Sequence, residues 1–251
     1  TDQVFDATSP SGVCWNLRQV RRLSWEVKER LSPDTWRVLQ QLETIFAEPA
    51  PINHDRRFVA SLTTLDDVVI MLSAFAGLLA ENPRRGHGWR FLDIGRRMER
   101  ALQMLSLLQV GVAAAPYPDD AYLEVLLQVA DSSTTYRSRY LASIRTRYVL
   151  ELLLEDESNP RSVAFQIAQL HERVHGLPRH AAETREHELV DRLRQMVHGA
   201  NIDDIKRRDG KGKRLTLEAH LQSIRNGVTD LSDALTVRYL SHSAPSRLQS
   251  I

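Results

Sequence analysis

The helical pattern that decides the fold lies in the stretch GWRFLDIGRRMERALQM, residues Gly88 to Met104. Residues three and four positions apart share one side of an α-helix. On a helical wheel centred on Phe91, the apolar side chains Ile94 and Met98 therefore gather on one face. The sequence predicts a core helix with an apolar face around Phe91.

The same helix carries a dense group of charges. Asp93, Arg96 and Arg100 fall opposite the Phe91 face, and Arg97 and Glu99 lie at its flanks. The apolar residues of the following turns extend to the charged side, so we expect that side to be partly covered. A covered charge needs a partner. We therefore expect Glu99 to pair with an arginine in a structural network, with an exposed charged face and an anion-binding site as the alternatives.

The remaining sequence repeats the helical period, and no run alternates between apolar and polar residues as a strand would. This pattern predicts an all-α fold, a multi-helix bundle of roughly eight to ten helices. We expect one domain over residues 1–251, with a flexible tail over residues 242–251.

Local signals place several helix boundaries. We expect a first helix from about Asn16 to Arg30, and a second that Ser32 caps and that begins at Pro33. Thr64 and Asp67 have capping-box spacing and predict a helix start. Further helices are expected over residues 122–145 and 148–155, and then after Asn159, a candidate cap before Pro160.

Composition excludes several classes of partner. The 33 basic and 32 acidic residues leave a net charge of +1, which recruits neither nucleic acid nor an anionic membrane surface. Cys14 is the only cysteine, as expected in a reducing compartment. We find no apolar run close to the roughly 20 residues that span a bilayer, so a cytoplasmic protein without membrane contact is expected. The opening TDQ, without Met, indicates a processed start or a piece of a longer chain.

Three segments carry a resemblance to a known family. GWRFLDIGRRMERA resembles the signature of the bacterial alpha-E family, in which Glu99-Arg100 corresponds to the Glu-Arg motif. YRSRYLASIRTRYVLELLLEDESNPRSVAFQI is similar to the second block of the family, and VKERLSPDTWRVLQQL is similar to its early segment. Family members tend to begin with an additional helix that carries its own Glu-Arg motif, and from the resemblance we expect this helix to be missing from the given sequence.

The resemblance implies a context rather than a reaction. Alpha-E domains are linked to circularly permuted ATP-grasp proteins and transglutaminase-like proteins, in the same polypeptide or beside it. The implied function is a non-catalytic accessory or interaction module of a peptide- or amide-forming system, without a cofactor. The alternative is a helical enzyme that binds a carboxylate or phosphate through a cluster of candidate residues: Arg96, Glu99, Arg100, Arg161 and Ser162. Residues 159–162, NPRS, are equally explained as a helix start alone.

A second motif competes with this interpretation. His171, Glu172 and His175 in HERVH match the H-E-x-x-H pattern of zinc proteases. Both histidines, however, flank a regular row of apolar residues. His187 or a glutamate such as Glu183 would have to serve as the third ligand. His180 and Gly176 stand at the wrong spacing for the extended motif, and no sheet is predicted. We therefore expect no metal site, and a zinc hydrolase remains the least favoured alternative.

The segment KRRDGKGKR lacks the spacing of a phosphate-binding loop. Its lysines, Lys211 and Lys213 among them, are expected to be solvated.

Overall fold

A computed structural model describes residues 2–10, 12–46, 54–81, 85–115, 120–141, 143–178, 184–210 and 212–240. All regular elements in these ranges are helical, which confirms the prediction of an all-α multi-helix bundle. The chain divides into two compact units, Thr1–Arg85 and Gly86–Ile251. The expected tail over residues 242–251 lies outside the described residues.

The described residues of the first unit form four α-helices. They are α1 (Asp2–Phe5), α2 (Val13–Glu26, followed by a 3₁₀ turn at Lys28–Arg30), α3 (Pro33–Thr44) and α4 (His54–Glu81). α3 packs against both α2 and α4, and the small core between them is centred on Leu39, Leu42 and Val68.

Of the two helix starts that the sequence predicts in this unit, the structure confirms one and contradicts the other. The Ser32 side chain accepts a hydrogen bond from the Thr35 amide at 3.2 Å, and Pro33 occupies the first turn, which confirms the predicted start of α3. The predicted start at Thr64 is wrong, because Thr64 lies in the interior of α4. Residues 54–63 contain polar side chains but neither Gly nor Pro, so the helix continues through them.

α4 also corrects the expectation about apolar runs. Its segment Phe58–Glu81 is, by length and composition, long and apolar enough to cross a membrane, and its most apolar 18-residue window has a mean hydropathy of 1.7. Only 11% of its most apolar window is buried. The apolar character of α4 therefore faces outward to an unusual degree.

The second unit holds the larger core. Its helices are α5 (His87–Leu108, continued by a π-helical turn at Gln109–Ala113), α6 (Asp120–Val129), α7 (Ser133–Tyr140), α8 (Thr146–Leu150, continued by a π-helical turn at Glu151–Glu155), α9 (Val163–His175), α10 (Arg185–His198), α11 (Ile202–Ile205) and α12 (Leu215–Leu235, continued by a π-helical turn at Thr236–Leu240). α9 packs against α5 on one side and α10 on the other, and α12 packs against both α5 and α10. Fully buried Leu105, Leu152 and Leu170 lie in this core.

The predicted helix over residues 122–145 is wrong. α6 ends at Val129, where Asp131 adopts a φ of 50°, and α7 ends at Tyr140, where Leu141 adopts a φ of 43°. The buried Tyr136 holds the following loop, because its hydroxyl donates to the Ser143 carbonyl at 3.2 Å and accepts from the Arg145 amide at 3.1 Å. Neither break contains the Gly or Pro that marks a helix end in sequence.

Candidate functional site

A buried carboxylate lies where α5 crosses α9. Asp93 is 3% exposed, and its two oxygens face two guanidinium groups. The Nε atom of Arg97 lies 3.3 Å from Oδ1, and the Nε atom of Arg173 donates to Oδ2 at 2.9 Å. The expected ion-pair network therefore exists, but Asp93 supplies its carboxylate.

The expectation that Glu99 is covered and paired is wrong. Glu99 is exposed and forms no ion pair with any residue that the structure describes. The buried face of α5 is centred near Ala101, about a quarter turn around the axis from the predicted centre at Phe91. This rotation carries Asp93 into the α9 contact and turns Glu99 toward the surface.

The arginines of α5 and the start of α9 line two hollows. Arg100 and Arg161 line a cavity of about 520 Å³, together with Gln103 and Gln166. Arg96, Glu99 and Arg100 line a second hollow of about 480 Å³ along the outer side of α5. Arg100 and Gln103 line both hollows.

This arginine cluster (Arg96, Arg97, Arg100 and Arg161) is poor in counter-charge. Burial lowers the pKa of Arg100, and repulsion from the other three arginines lowers it further. Arg161 pairs with Asp131, and Arg97 faces Asp93, whereas Arg96 and Arg100 form no ion pair with a described residue. The cluster can therefore accept the oxygens of a carboxylate or phosphate.

Ser162 does not belong to this site. Its buried hydroxyl accepts a hydrogen bond from the Phe165 amide at 2.9 Å and donates to the Asp156 carbonyl at 2.5 Å, so it caps α9. Asn159, the cap expected from sequence, lies one turn too early: its side chain accepts from the Arg161 amide at 3.1 Å and donates to the Leu152 carbonyl at 2.9 Å, both before α9 begins. The hydroxyl of Ser162 is fully used by the fold.

The histidines of HERVH meet a carboxylate from α10. His171 and His175 direct their Nε2 atoms at Oδ1 of Asp191, at 2.8 and 2.9 Å. Burial alone would raise the pKa of Asp191, but the hydrogen bonds and charges of the two histidines outweigh burial and lower it. No sequence motif marks Asp191, because it joins the histidines only through the packing of α10 on α9.

Of the two other ligands considered from the sequence, His187 packs against this cluster and Glu183 lies outside the described residues, as does His180. The ring of His187 stacks on His175 with 4.6 Å between centroids, and its Nδ1 atom lies 2.6 Å from the Thr184 hydroxyl. His187 therefore contacts the side of the cluster.

The basic segment KRRDGKGKR contains a structural arginine that the sequence did not reveal. Lys213 is exposed, as expected, and Lys211 lies outside the described residues. Arg214 is buried and donates to the carbonyls of Val112 at 2.8 Å and Ala115 at 3.3 Å. Burial, with repulsion from Arg208, lowers its pKa to about 10.

Comparison with known proteins places the chain in a family. The model of the Alpha-E family, described as a predicted alpha-helical domain with a conserved ER motif, matches residues 2–240. This chain belongs to the Alpha-E family. No solved structure matches it significantly.

The Alpha-E chain is also similar to curated mycobacterial proteins. It is 27% identical over 246 residues to an uncharacterized protein of Mycobacterium tuberculosis and to one of Mycobacterium bovis. Each alignment covers 94% of this chain and 27% of the relative. The chain thus spans about a quarter of the length of these relatives.

The Glu-Arg motif of this Alpha-E domain, Glu99-Arg100, has its two side chains in different surroundings. Glu99 is exposed beside the outer hollow, whereas Arg100 is half-buried and reaches the cavity that Arg161 also lines. In this chain the motif therefore combines an accessible carboxylate with a guanidinium group that has no described counter-ion.

Proposed function

We propose that this Alpha-E domain is a non-catalytic interaction module of an ATP-grasp-linked system that forms peptide or amide bonds. The observation that carries the proposal is the outer face of α4. This face exposes six large apolar side chains: Phe58, Val59, Leu62, Val69, Ile70 and Leu72. Exposed apolar surface of this size is typical of interaction sites, because water disfavours it in a free protein.

The outer face of α4 suits a protein partner better than a bilayer. Asp66 and Asp67 interrupt the apolar segment, and both are exposed. The uncharged run from Val68 to Ala80 is about 13 residues, or about 20 Å of helix, whereas a bilayer core is about 30 Å thick. A carboxylate within the bilayer core would be costly. On the helical wheel Asp66 lies between Leu62 and Ile70, within this face. A protein partner can supply a basic side chain to pair with it, whereas lipid tails cannot.

The proposed occupant of this face is an ATP-grasp ligase. The resemblance of the GRRMER and NPRS segments to alpha-E sequences supports this partner, since that family is linked to such ligases. The length of the relatives is compatible with a ligase in the same polypeptide, because this chain aligns with only 27% of them. A transglutaminase-like protein of the same system is a further proposed partner. We place the module in the cytoplasm, where ATP is available to the ligase.

The test is a binding titration between this chain and a purified ATP-grasp ligase, the proposed partner. Val69→Asp and Ile70→Asp place charges in the outer face, where 61% of each native side chain is exposed. We expect each to weaken binding at least about tenfold. Leu23→Asp makes a similar change on α2, where Leu23 is 58% exposed, and should bind as the wild type does.

Two outcomes would contradict the docking proposal. One is an unchanged affinity for the ligase in both α4 variants. The other is a loss of affinity in Leu23→Asp as large as the loss in the α4 variants. Binding to neutral phosphatidylcholine vesicles with no ligase binding would instead assign the face to a membrane. Circular dichroism of each variant checks that the helix content is retained.

The arginine cluster favours a second candidate function, the binding of a carboxylate or phosphate ligand. Arg100 and Arg161 face one cavity, and Arg100 has no described ion-pair partner. Calorimetric titration with inorganic phosphate and with glutarate should give saturable binding that Arg100→Met abolishes. Arg192→Met, which removes an exposed arginine of α10, is the matched control. If phosphate and glutarate bind equally weakly to the wild type, Arg100→Met and Arg192→Met, this candidate function is rejected.

A further inference from the structure

Two helices of the second unit bring three metal-ligating groups together. His171 and His175 lie one turn apart on the same face of α9, and Asp191 reaches them from α10. One ligand atom from each residue lies within 4.8 Å of the other two. The imidazole rings are 4.4 Å apart between centroids and tilted by 45°. Each ring thus directs its Nε2 atom at the carboxylate from a different angle.

The spacing is close to that of a tetrahedral zinc site. Zinc bonds of about 2.0–2.1 Å to histidine and carboxylate place neighbouring ligand atoms about 3.3 Å apart. The Nε2 atoms of His171 and His175 lie 2.8 and 2.9 Å from Oδ1 of Asp191. Each histidine therefore needs to move only about half an ångström away from the Asp191 oxygen to reach the spacing of zinc ligands.

The surroundings restrain one ligand and leave room for a fourth. The stacked ring of His187, held by Thr184, limits the rotation of His175. A cavity of about 370 Å³ opens beside His171 and Asp191, and Arg194 also lines it. The ligand side chains are partly exposed, so an ion can reach them from solvent.

We propose that His171, His175 and Asp191 bind a divalent transition-metal ion, zinc in the first place, with one coordination position open to this cavity. The ligand set differs from that expected of a zinc protease only in its third member, Asp191. Glu172, the general base in such enzymes, is exposed and pairs with Arg173 at 2.6 Å. The proposal therefore concerns metal binding and assigns no proteolysis. Water or an anionic oxygen would occupy the open position.

Metal analysis of protein made without a histidine tag tests the site. After dialysis against micromolar zinc, the wild type should retain about one zinc ion per chain. Zinc should raise its melting temperature, and EDTA should reverse the rise. His171→Ala, His175→Ala and Asp191→Asn should each weaken zinc binding at least about tenfold. Asp191→Asn is the sharpest variant, because it keeps the shape and a hydrogen-bond acceptor while removing the charge.

His87→Ala is the matched control, because it removes an exposed histidine at the start of α5. It should bind zinc as the wild type does. The alternative is a metal-free cluster in which both histidines hydrogen-bond to Asp191. If the wild type retains no zinc, and neither zinc nor EDTA changes its melting temperature, that alternative holds and the proposal fails. The same conclusion follows if His87→Ala loses as much zinc as His171→Ala.

Cobalt(II) provides a second measurement that needs no variant. In a four-coordinate site of two imidazoles, a carboxylate and water, cobalt(II) absorbs visible light much more strongly than hexaaqua cobalt(II) does. Strong visible absorption that saturates at one cobalt per chain, and that zinc displaces, would support the site. Weak absorption typical of the free ion at saturating cobalt would overturn it, whether or not the variants fold.

Discussion

The Nε atom of Arg173 on α9 donates to Oδ2 of Asp93 on α5 at 2.9 Å, inside the larger core of the protein. Arg97 faces the other oxygen of the same carboxylate, and the Arg173 guanidinium lies over the ring of Trp89 at 5.1 Å. One buried negative charge thus holds two partly buried positive charges. Asp93, rather than Glu99, connects these helices.

Replacing Asp93 should therefore destabilise the protein strongly. Asp93→Ala leaves two guanidinium groups without their shared partner, and we expect the free energy of unfolding to fall by about 3–5 kcal/mol. Glu99→Ala, on the exposed side of the same helix, should change it by less than about 0.5 kcal/mol. Urea denaturation followed by circular dichroism measures both.

A double variant separates charge from packing at this contact. Asp93→Asn combined with Arg97→Met should be more stable than the sum of the two single changes predicts, because both members of one pair are gone. Equal urea midpoints for Asp93→Ala and Glu99→Ala would show that the buried carboxylate does not hold α5 to α9.

The cap of α9 makes a second prediction. Ser162→Ala removes the acceptor for the Phe165 amide, and it should lower the free energy of unfolding by about 1–2 kcal/mol. Ser158→Ala, in the preceding exposed turn, should cost less than about 0.5 kcal/mol. Thermal denaturation measures the difference. If Ser162→Ala folds with wild-type stability, the hydroxyl is free to serve a ligand instead.

The basic segment before α12 makes a third prediction. Arg214→Met removes the donor to the carbonyls of Val112 and Ala115 at the end of the π-helical turn, and we expect a loss of about 2–3 kcal/mol. Lys213→Ser changes an exposed neighbour and should cost less than about 0.5 kcal/mol. Similar denaturation midpoints for the two variants would contradict the structural role of Arg214.

The sequence predicts features that neighbouring residues determine. Ser32 and Pro33 start α3 as expected, because an N-cap hydroxyl and a fixed proline φ act within one helical turn. The all-α class follows equally from the helical period. Asp131 and Leu141, in contrast, end their helices with positive φ although neither break contains Gly or Pro. Both side chains are exposed, and the hydroxyl of the buried Tyr136 holds the loop after Leu141.

The candidate sites depend on contacts that a single helix does not define. The period of α5 fixes which residues share a face, but the neighbouring helices decide which face is buried. Met104 and Leu108, both buried, shift that face toward Asp93. Asp191 follows His175 by 16 residues and meets it only because α10 folds back on α9. These relationships are tertiary, so no local motif in the chain encodes them.

A carboxylate at the end of the π-helical turn after α8 makes the stability depend on pH. Oε1 of Glu155 is buried and has no hydrogen-bond partner among the described residues. Burial raises the pKa of Glu155 above 4.5, and the charge of Glu151 raises it further, while His198 opposes the shift. The folded protein therefore binds a proton at Glu155 more tightly than the unfolded chain does.

The fourth prediction follows from the sign of this shift. The raised pKa contributes stability that is fully present below about pH 4.5 and is lost as the pH rises through the folded-state pKa. Glu155→Gln removes the ionisable group, so it should be more stable than the wild type at pH 7, by at most about 1 kcal/mol because solvent screens a half-buried group. The advantage should shrink as the pH falls through the folded-state pKa toward 4.5, where the carboxyl is protonated in the folded state and about half protonated in the unfolded chain. Asp230→Asn, which removes an exposed carboxylate on α12, serves as the control. Urea midpoints at pH 7 and pH 4.5 measure the effect. If Glu155→Gln is less stable than the wild type by the same amount at both pH values, the native carboxylate has a hydrogen-bond partner in solution and the prediction is wrong.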